Sequence, residues 1–409
     1  MDEDMDEGMD DTIGQWLTII GIGEDGVDGL SLAARTALVD AKLVMGSARH
    51  LALLPEISCP TIEWPVPFAD GMAQVQTRRG TPMVVLASGD PFWFGAGASL
   101  AHLFAPSEWI AHPAPSTFAL AAARLGWAIQ DSLCLGLHAA PLDRLRPHLA
   151  PGRRIMVLVR DSMAVTALAA YLVDRGFGSS RLHVMEELGG PRERRRSIDA
   201  DQMRFTDITH PVMVAMELCG AGPTLSSTPG RPDSLFASDG QLTKAPVRAL
   251  TLAALAPSPG ELLWDIGAGS GSVAIEWLLA HRANRAIAVE ADTDRADRAR
   301  ANALALGVDR LQILRGHAPA LLPDGDAPDA VFIGGGLSQS LLESLEERLP
   351  SGTRLIANAV TLESEALLTA WQARRGGTLL RIELADARPL GNRHGWRARY
   401  PIVQWSVTL

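Results

Sequence analysis

Cysteine is scarce in this chain: Cys59, Cys134 and Cys219 stand far apart, with no Cys-x-x-Cys spacing. Three scattered thiols make no disulfide framework and no zinc site, and they fit a reducing cytoplasm. No apolar run approaches the length of a membrane span, so no transmembrane helix and no membrane partner are expected. The stretch Met1 to Asp11 is acidic where a signal peptide would be basic, and residues 1–15 read as a disordered acidic leader. Positive charge is also in deficit. The 37 Lys and Arg against 47 Asp and Glu leave a net charge of -10, which argues against a nucleic-acid partner. An acidic ligand would have to be met by local arginines. No His/Asp/Glu spacing suggests a metal, and neither Ser88 nor Ser116 sits in a G-x-S-x-G elbow, so metallo- and serine-hydrolase chemistry find no support.

What remains is an ordinary globular composition, 47% apolar and 21% charged, over 409 residues. That length suggests two domains, each large enough to bury its own core. From Trp16 onward, apolar runs at Leu17–Ile22, Leu43–Met45, Met83–Ala87, Arg154–Val159 and Leu182–Met185 read as strands. Helical stretches at Leu32–Val39, Gly97–Phe104, Phe118–Leu125 and Met163–Asp174 alternate with them, a parallel α/β pattern. The segment Cys219–Gly240 is dense in Gly, Pro, Ser and Asp and reads as a linker, with the boundary near residue 222. The pattern then restarts with a helix over Val247–Leu255, a strand Leu262–Ile266, a helix Val273–His281, a strand Ala286–Val289 and a helix Arg295–Leu306. Strands at Gln312–Leu314, Ala330–Ile333, Arg354–Ala357 and Pro401–Val407 complete it, and no tandem repeat is found.

The sharpest local signal is LLWDIGAGSGSVAIEW, where a strand ends at Asp265 and Gly267, Gly269 and Gly271 turn into a helix. Glycine allows a ligand close to the backbone, and the helix start offers free N–H donors. The spacing D-x-G-x-G-x-G in place of G-x-G-x-x-G favours S-adenosylmethionine over a dinucleotide. Asp265 would suit the ammonium group of the methionine part, and Glu290, ending the next strand, would accept from the ribose hydroxyls.

These residues resemble a known family. From Gln241, the text QLTKAPVRALTLAALAPSPGELLWDIGAGSGSVAIEW, with RGHAPALLPDGDAPDAVFIGGG and ANAVTLESEALL, is similar to the C-terminal, decarboxylating methylase half of precorrin-6B C5,15-methyltransferases. The resemblance implies cofactor contacts at Thr243, Gly267, Ala268, Gly269, Ser270, Gly271, Glu290 and Ala318. His317 stands where that family usually carries an acid and reads as a solvent-facing histidine. In the first half, LTIIGIGEDG, VMGSARHL, VVLASGDPFWFGAGA, PSTFALAAARLGW and LHAAPLDRLRPHL resemble the tetrapyrrole methylases. That implies contacts at Gly89, Asp90, Phe92, Ser116 and Thr117, although the first loop, Gly21–Gly26, lacks the proline many members have there.

The implied fold is α/β throughout. It comprises a two-subdomain tetrapyrrole methylase fold over residues 16–218, a linker over 219–240, and a Rossmann-like class I methyltransferase with a mostly parallel sheet over 241–409. The implied activity is methylation of precorrin-6B at C5 by the first domain and at C15 by the second. Decarboxylation of a ring acetate then gives precorrin-8 in cobalamin (vitamin B12) biosynthesis, with one S-adenosylmethionine per domain, in a cytoplasmic homo-oligomer. A precorrin carries many carboxylates, so arginines should meet it. Arg388, Arg393 and Arg397 are the substrate-binding candidates, and His394 is a candidate proton donor. The run Arg192, Arg194, Arg195 and Arg196 reads as a solvated loop. Two rivals stay open: an NAD-linked oxidoreductase, disfavoured by the missing G-x-G-x-x-G, and a non-catalytic S-adenosylmethionine-binding regulator, against which the arginines of the second cluster argue.

Overall fold

The computed structural model describes residues 14–409, so the expected acidic leader lies outside the described residues except at its last two positions. The chain divides into two compact units: one runs to Ala140 and resumes over Ala150–Pro223, and the other takes Pro141–Leu149 and Thr224–Leu409.

The first unit holds two five-stranded sheets. Strands β1 (Leu17–Ile22), β2 (Val44–Gly46), β3 (Thr61–Glu63), β4 (Met83–Ser88) and β5 (Trp109–His112) pair in the order β3-β2-β4-β1-β5. All are parallel. The near-continuous apolar runs of β1 and β4 follow from this, because a parallel strand covered on both faces has no solvent side. The second sheet combines β6 (Ser132–Gly136), β7 (Arg154–Leu158), β8 (Arg181–Glu186), β9 (Arg194–Asp199) and β10 (Val212–Glu217) in the order β6-β7-β10-β8-β9. Here only β6 and β7 run parallel, and β10 lies antiparallel between β7 and β8. The strands expected at Arg154–Val159 and Leu182–Met185 therefore belong to a mixed sheet, a pairing that their apolar runs do not encode.

The arginine run is not a solvated loop. Arg194 and Arg196 lie on β9, and both bond the buried Glu186 and the exposed Asp207. Arg192 pairs with Glu187 at 2.7 Å. Strand pairing with β8 sets these guanidinium groups beside carboxylates that the linear sequence keeps apart.

In the second unit, β11 (Leu262–Ile266), β12 (Arg285–Glu290), β13 (Gln312–Arg315), β14 (Ala330–Ile333), β15 (Arg354–Ala359), β16 (Thr378–Ile382) and β19 (Ile402–Thr408) form one sheet, ordered β13-β12-β11-β14-β15-β19-β16. Only β19 runs antiparallel to its neighbours. Alternation along β11 feeds two cores: Leu263 packs with Trp277 and Phe332, whereas Leu262, Trp264 and Ile266 pack with Trp371 and Trp405. Strands β17 (Ala385–Leu390) and β18 (Arg393–Ala398) make a separate two-stranded ribbon.

The segment 219–240, expected to be a linker, contributes Arg231 and Phe236 to the interior of this unit. Arg248, fully buried on the helix Ala245–Leu255, donates to Glu276 at 2.8 Å and to the carbonyl of Arg231 at 2.5 Å, and stacks over Phe236. Glu276 also accepts from the backbone N–H groups of Gly230 and Arg231. This knot ties residues 230–243 onto the helix Ser272–Ala280 that follows the glycine turn. Among the described residues no helix is long and apolar enough to cross a membrane. No group of three or more His, Cys, Asp or Glu stands together to hold a metal ion among them.

Candidate active sites

Strand order in the second unit reverses beside β11, where β12 and β13 lie to one side and β14 and β15 to the other. Such a switch point opens a crevice at the carboxyl ends of the strands. A cavity of about 500 Å³ lies there, within the range of small-molecule sites. Its lining includes Thr243, Gly267, Ala268, Gly269, Ser270, Glu290 and Ala318. Gly267 and Gly269 take φ values of +70° and +58°, in the left-handed region. A Cβ on Gly267 would lie 2.6 Å from the backbone of Gly335, whereas one on Gly269 would meet only the Gln241 carbonyl, at 3.8 Å. The first glycine thus closes the turn against a neighbouring loop, and the second leaves open space above it.

Glu290 is buried, and each carboxylate oxygen accepts one backbone N–H: Oε2 from Gly269 at 2.7 Å and Oε1 from Asp292 at 2.9 Å. A carboxylate has about four acceptor positions, so each oxygen keeps capacity for a hydroxyl. The open space at Gly269 and this acid fit the adenosine part of S-adenosylmethionine.

Asp265 and Gly271 do not line the cavity. Asp265 is 1% exposed beneath the turn, and its Oδ2 accepts from Ala274 at 3.0 Å, at the start of the following helix. Its Oδ1 has no partner among the described residues. Burial pushes its pKa up to about 7, against that hydrogen bond and with help from Glu290. Gly271 instead forms the left-handed N-cap of the helix. His317 is exposed, as expected, and it also lines the cavity.

In the first unit, a cavity of about 650 Å³ lies between the two sheets. The ends of β1 and β4 and the start of the helix Thr117–Leu125 line one side; Met185, Leu188 and residues 210–213 line the other. A Cβ on Gly21 would stand 1.8 Å from the Gly89 carbonyl oxygen, so β1 and the turn after β4 touch through backbone. Gly89, Asp90, Ser116 and Thr117 line the cavity as expected, but Phe92 does not. Phe92 packs on Trp109 at 5.7 Å, because Asp90 Oδ1 accepts its N–H and turns the chain there. Trp93 and Phe94 take its place in the lining, with Phe94 held at φ +59°. The Ser116 hydroxyl caps its helix by accepting from Ala119 at 3.1 Å.

A polar cluster not expected from the sequence also lines this cavity. Arg49 pairs with Glu24 and donates to Ser88 Oγ at 2.8 Å, and His50 Nε2 lies 2.9 Å from the same hydroxyl. Burial first, and then the Arg49 charge, push the His50 pKa down to about 3, so the ring is neutral at working pH. The motif VMGSARHL held the signal, since the Ser47 cap on the short helix Ala48–Ala52 turns Arg49 and His50 inward.

Arg388, Arg393, Arg397 and His394 lie on the β17–β18 ribbon, exposed and outside both cavities. Register opposes Arg388 to Gly395, Arg393 to Leu390 and Arg397 to Asp386, which puts the three arginines on one face. His394, opposite Pro389, falls on the other face with Trp396. The pleat therefore separates the proposed donor from the proposed carboxylate binders.

Two family models match the chain: tetrapyrrole (corrin/porphyrin) methylases over residues 16–203 and a precorrin methyltransferase domain over residues 234–409. A precorrin-6Y C(5,15)-methyltransferase (decarboxylating) from Sinorhizobium is 47% identical over 401 residues, spanning 97% of each chain. One from Mycobacterium tuberculosis is 39% identical over 96% of this chain and 99% of its own. The crystal structure of the C-terminal domain of precorrin-6Y C5,15-methyltransferase from Rhodobacter capsulatus is 56% identical, covering 45% of this chain and 100% of its own, with a TM-score of 0.44. Likeness along nearly the whole of two full-length relatives means that this chain belongs to the precorrin-6Y C5,15-methyltransferase (decarboxylating) family.

Proposed function

We propose that the chain methylates C5 and C15 of precorrin-6B and decarboxylates a ring acetate to give precorrin-8 in cobalamin biosynthesis, with one S-adenosylmethionine per unit. The relatives are named for precorrin-6Y as substrate. The reading assigns C5 to residues 16–218 and C15 with decarboxylation to residues 241–409, in a cytoplasmic homo-oligomer. The observation that carries it is the presence of two separate cavities, each at the carboxyl ends of parallel strands and each lined by residues of its own family motif.

In the second unit, Gly267 and Gly269 would admit the cofactor to the backbone, Glu290 would receive the ribose, and Thr243 and Ala318 would flank it. Asp265 would act from beneath, by fixing the helix start through Ala274. In the first unit, Gly89, Asp90, Ser116 and Thr117 would hold the second cofactor. The exposed aromatic and apolar edge of that cavity, Val66, Phe68, Trp93 and Phe94, suits a flat conjugated macrocycle. The cofactor supplies an electrophilic methyl group on a sulfonium. An electron-rich ring carbon needs no nucleophilic residue, so the protein's work is alignment and exclusion of water.

The test is anaerobic incubation with precorrin-6B and methyl-labelled S-adenosylmethionine, followed by mass spectrometry of the tetrapyrrole. Two methyls gained and one carboxyl lost are expected, with at most C5 methylation in Gly269→Arg. No labelled tetrapyrrole from cofactor-binding protein would sink the substrate assignment.

A further inference from the structure

Asn358 belongs to the motif ANAVTLESEALL, to which no role has yet been given. It sits near the carboxyl end of β15, paired across the sheet with Gln404 of β19. Its Nδ2 donates to Thr251 Oγ1 at 3.0 Å, and its Oδ1 accepts from Gln404 Nε2 at 3.0 Å. Gln404 Nε2 also donates to Thr251 Oγ1 at 3.2 Å. Thr251 and Gln404 are 0% and 2% exposed, a setting in which apolar side chains would be the ordinary occupants. Polar groups persist there because the three hydrogen-bond one another.

Only Asn358 reaches the second cavity, beside Val360 and Ile402. A primary amide has two N–H donors and a carbonyl with two lone pairs. The cluster uses one of each, and among the described residues the remaining N–H and lone pair have no protein partner. Of the lining cations, Arg295 donates to Asp239 at 2.7 Å, and the exposed Lys244 stands 3.8 Å from Asp233. The glycine turn and Glu290 follow β11 and β12, whereas Asn358 lies beyond β14 on the other side of the switch point. Its rigid amide thus faces the half of the cavity that the cofactor motif leaves free.

We propose that Asn358 is a substrate-binding residue of the second unit, whose free N–H donates to a carboxylate oxygen of the tetrapyrrole acetate that is lost. The proposal rests on the reading of this cavity as the C15 methylation site. A charged donor would bind that carboxylate about twice as strongly and hold it in the ground state; a neutral amide fixes its direction with less stabilisation. On loss of carbon dioxide, the bond from the acetate methylene to the carboxyl carbon breaks and its electron pair passes into the conjugated imine; a proton from water then adds to the former methylene carbon, which becomes a methyl group as the imine re-forms. Asn358 carries no proton in this step.

The experiment uses the full chain. Calorimetric titration with S-adenosylhomocysteine should give two sites in the wild type and one in Gly269→Arg; one site in both would overturn the underlying reading, whatever Asn358 does. In Asn358→Ala, the second-site affinity should stay at the wild-type level, while kcat/KM for C15 methylation falls roughly tenfold, mostly through KM. Carbon dioxide released per C15 methyl should fall as well. Cofactor affinity falling in step with turnover, or an unchanged kcat/KM, would overturn the proposal. Should Asn358→Ala fail to fold, Thr251→Val unpins the amide from outside the cavity and should give the same split in smaller measure; no split there also overturns it.

Discussion

The two cavities of this chain are built in different ways. The second is made largely of backbone at a parallel-sheet switch point: the Gly267–Ser270 turn, the Gly334–Gly336 loop and one acid, Glu290. The first gathers side chains from two sheets, with aromatics at its edge and Arg49, His50 and Ser88 within. A site made from backbone writes a compact motif into the sequence, because only glycine tolerates the required dihedrals and approach. A site made from converging side chains spreads its residues over the chain, each looking ordinary where it stands.

Glycine substitutions should separate the halves most strongly. Gly267→Ala forces a Cβ to within 2.6 Å of backbone, and Gly21→Ala forces one to within 1.8 Å. A displacement of that order should cost more than about 100-fold in the affected methylation. Product mass spectra should show Gly267→Ala losing C15 and Gly21→Ala losing C5; loss of both methyls from either variant would break the division between units.

Next in size, Arg248→Met takes one guanidinium from the buried Glu276, leaving it Arg231 at 3.5 Å and two backbone N–H groups, and should destabilise the second unit by about 2–3 kcal/mol, read by urea titration. A cost below about 1 kcal/mol would mean that the knot is dispensable.

Asp265 sharpens the comparison through pH. Its folded pKa is raised from 3.8 to about 7, so the stability it contributes is present below the unfolded value and is lost as pH rises through the folded one. Wild type should therefore lose on the order of a few kcal/mol in the second unit between pH 4 and 8 that Asp265→Asn does not lose. Parallel stability curves for the two proteins would refute the assignment. His50, whose pKa is lowered from 6.5 to about 3, should contribute the opposite slope in the first unit, adding stability as pH rises from 4 towards its unfolded value and none above it.

The smallest effect is expected from the ribbon. Arg393→Ala changes an exposed residue outside both cavities and should alter kcat/KM by less than about twofold. A tenfold rise in KM would restore the ribbon arginines as substrate binders.

Much of the second site was legible in the sequence because its determinants are local: a strand, a glycine turn, a helix start and an acid ending the next strand. Most strands of the parallel sheets were legible for a similar reason, since burial on both faces leaves an apolar run. The arginine run before Ile198 was unreadable as β9, because its charges are neutralised by Glu186 and Asp207 from other segments. Phe92 was a cofactor contact by family resemblance, but the Asp90 turn swings it onto Trp109.

By itself, then, the sequence determined two α/β units, the family and the backbone-lined turn, because backbone dihedrals and burial periodicity are set by neighbours along the chain. Only the tertiary structure decided which side chains share a cavity. It buried Asp265, split His394 from the ribbon arginines, and joined Asn358 to Thr251 and Gln404, since those outcomes depend on strand register and on partners up to 153 residues away.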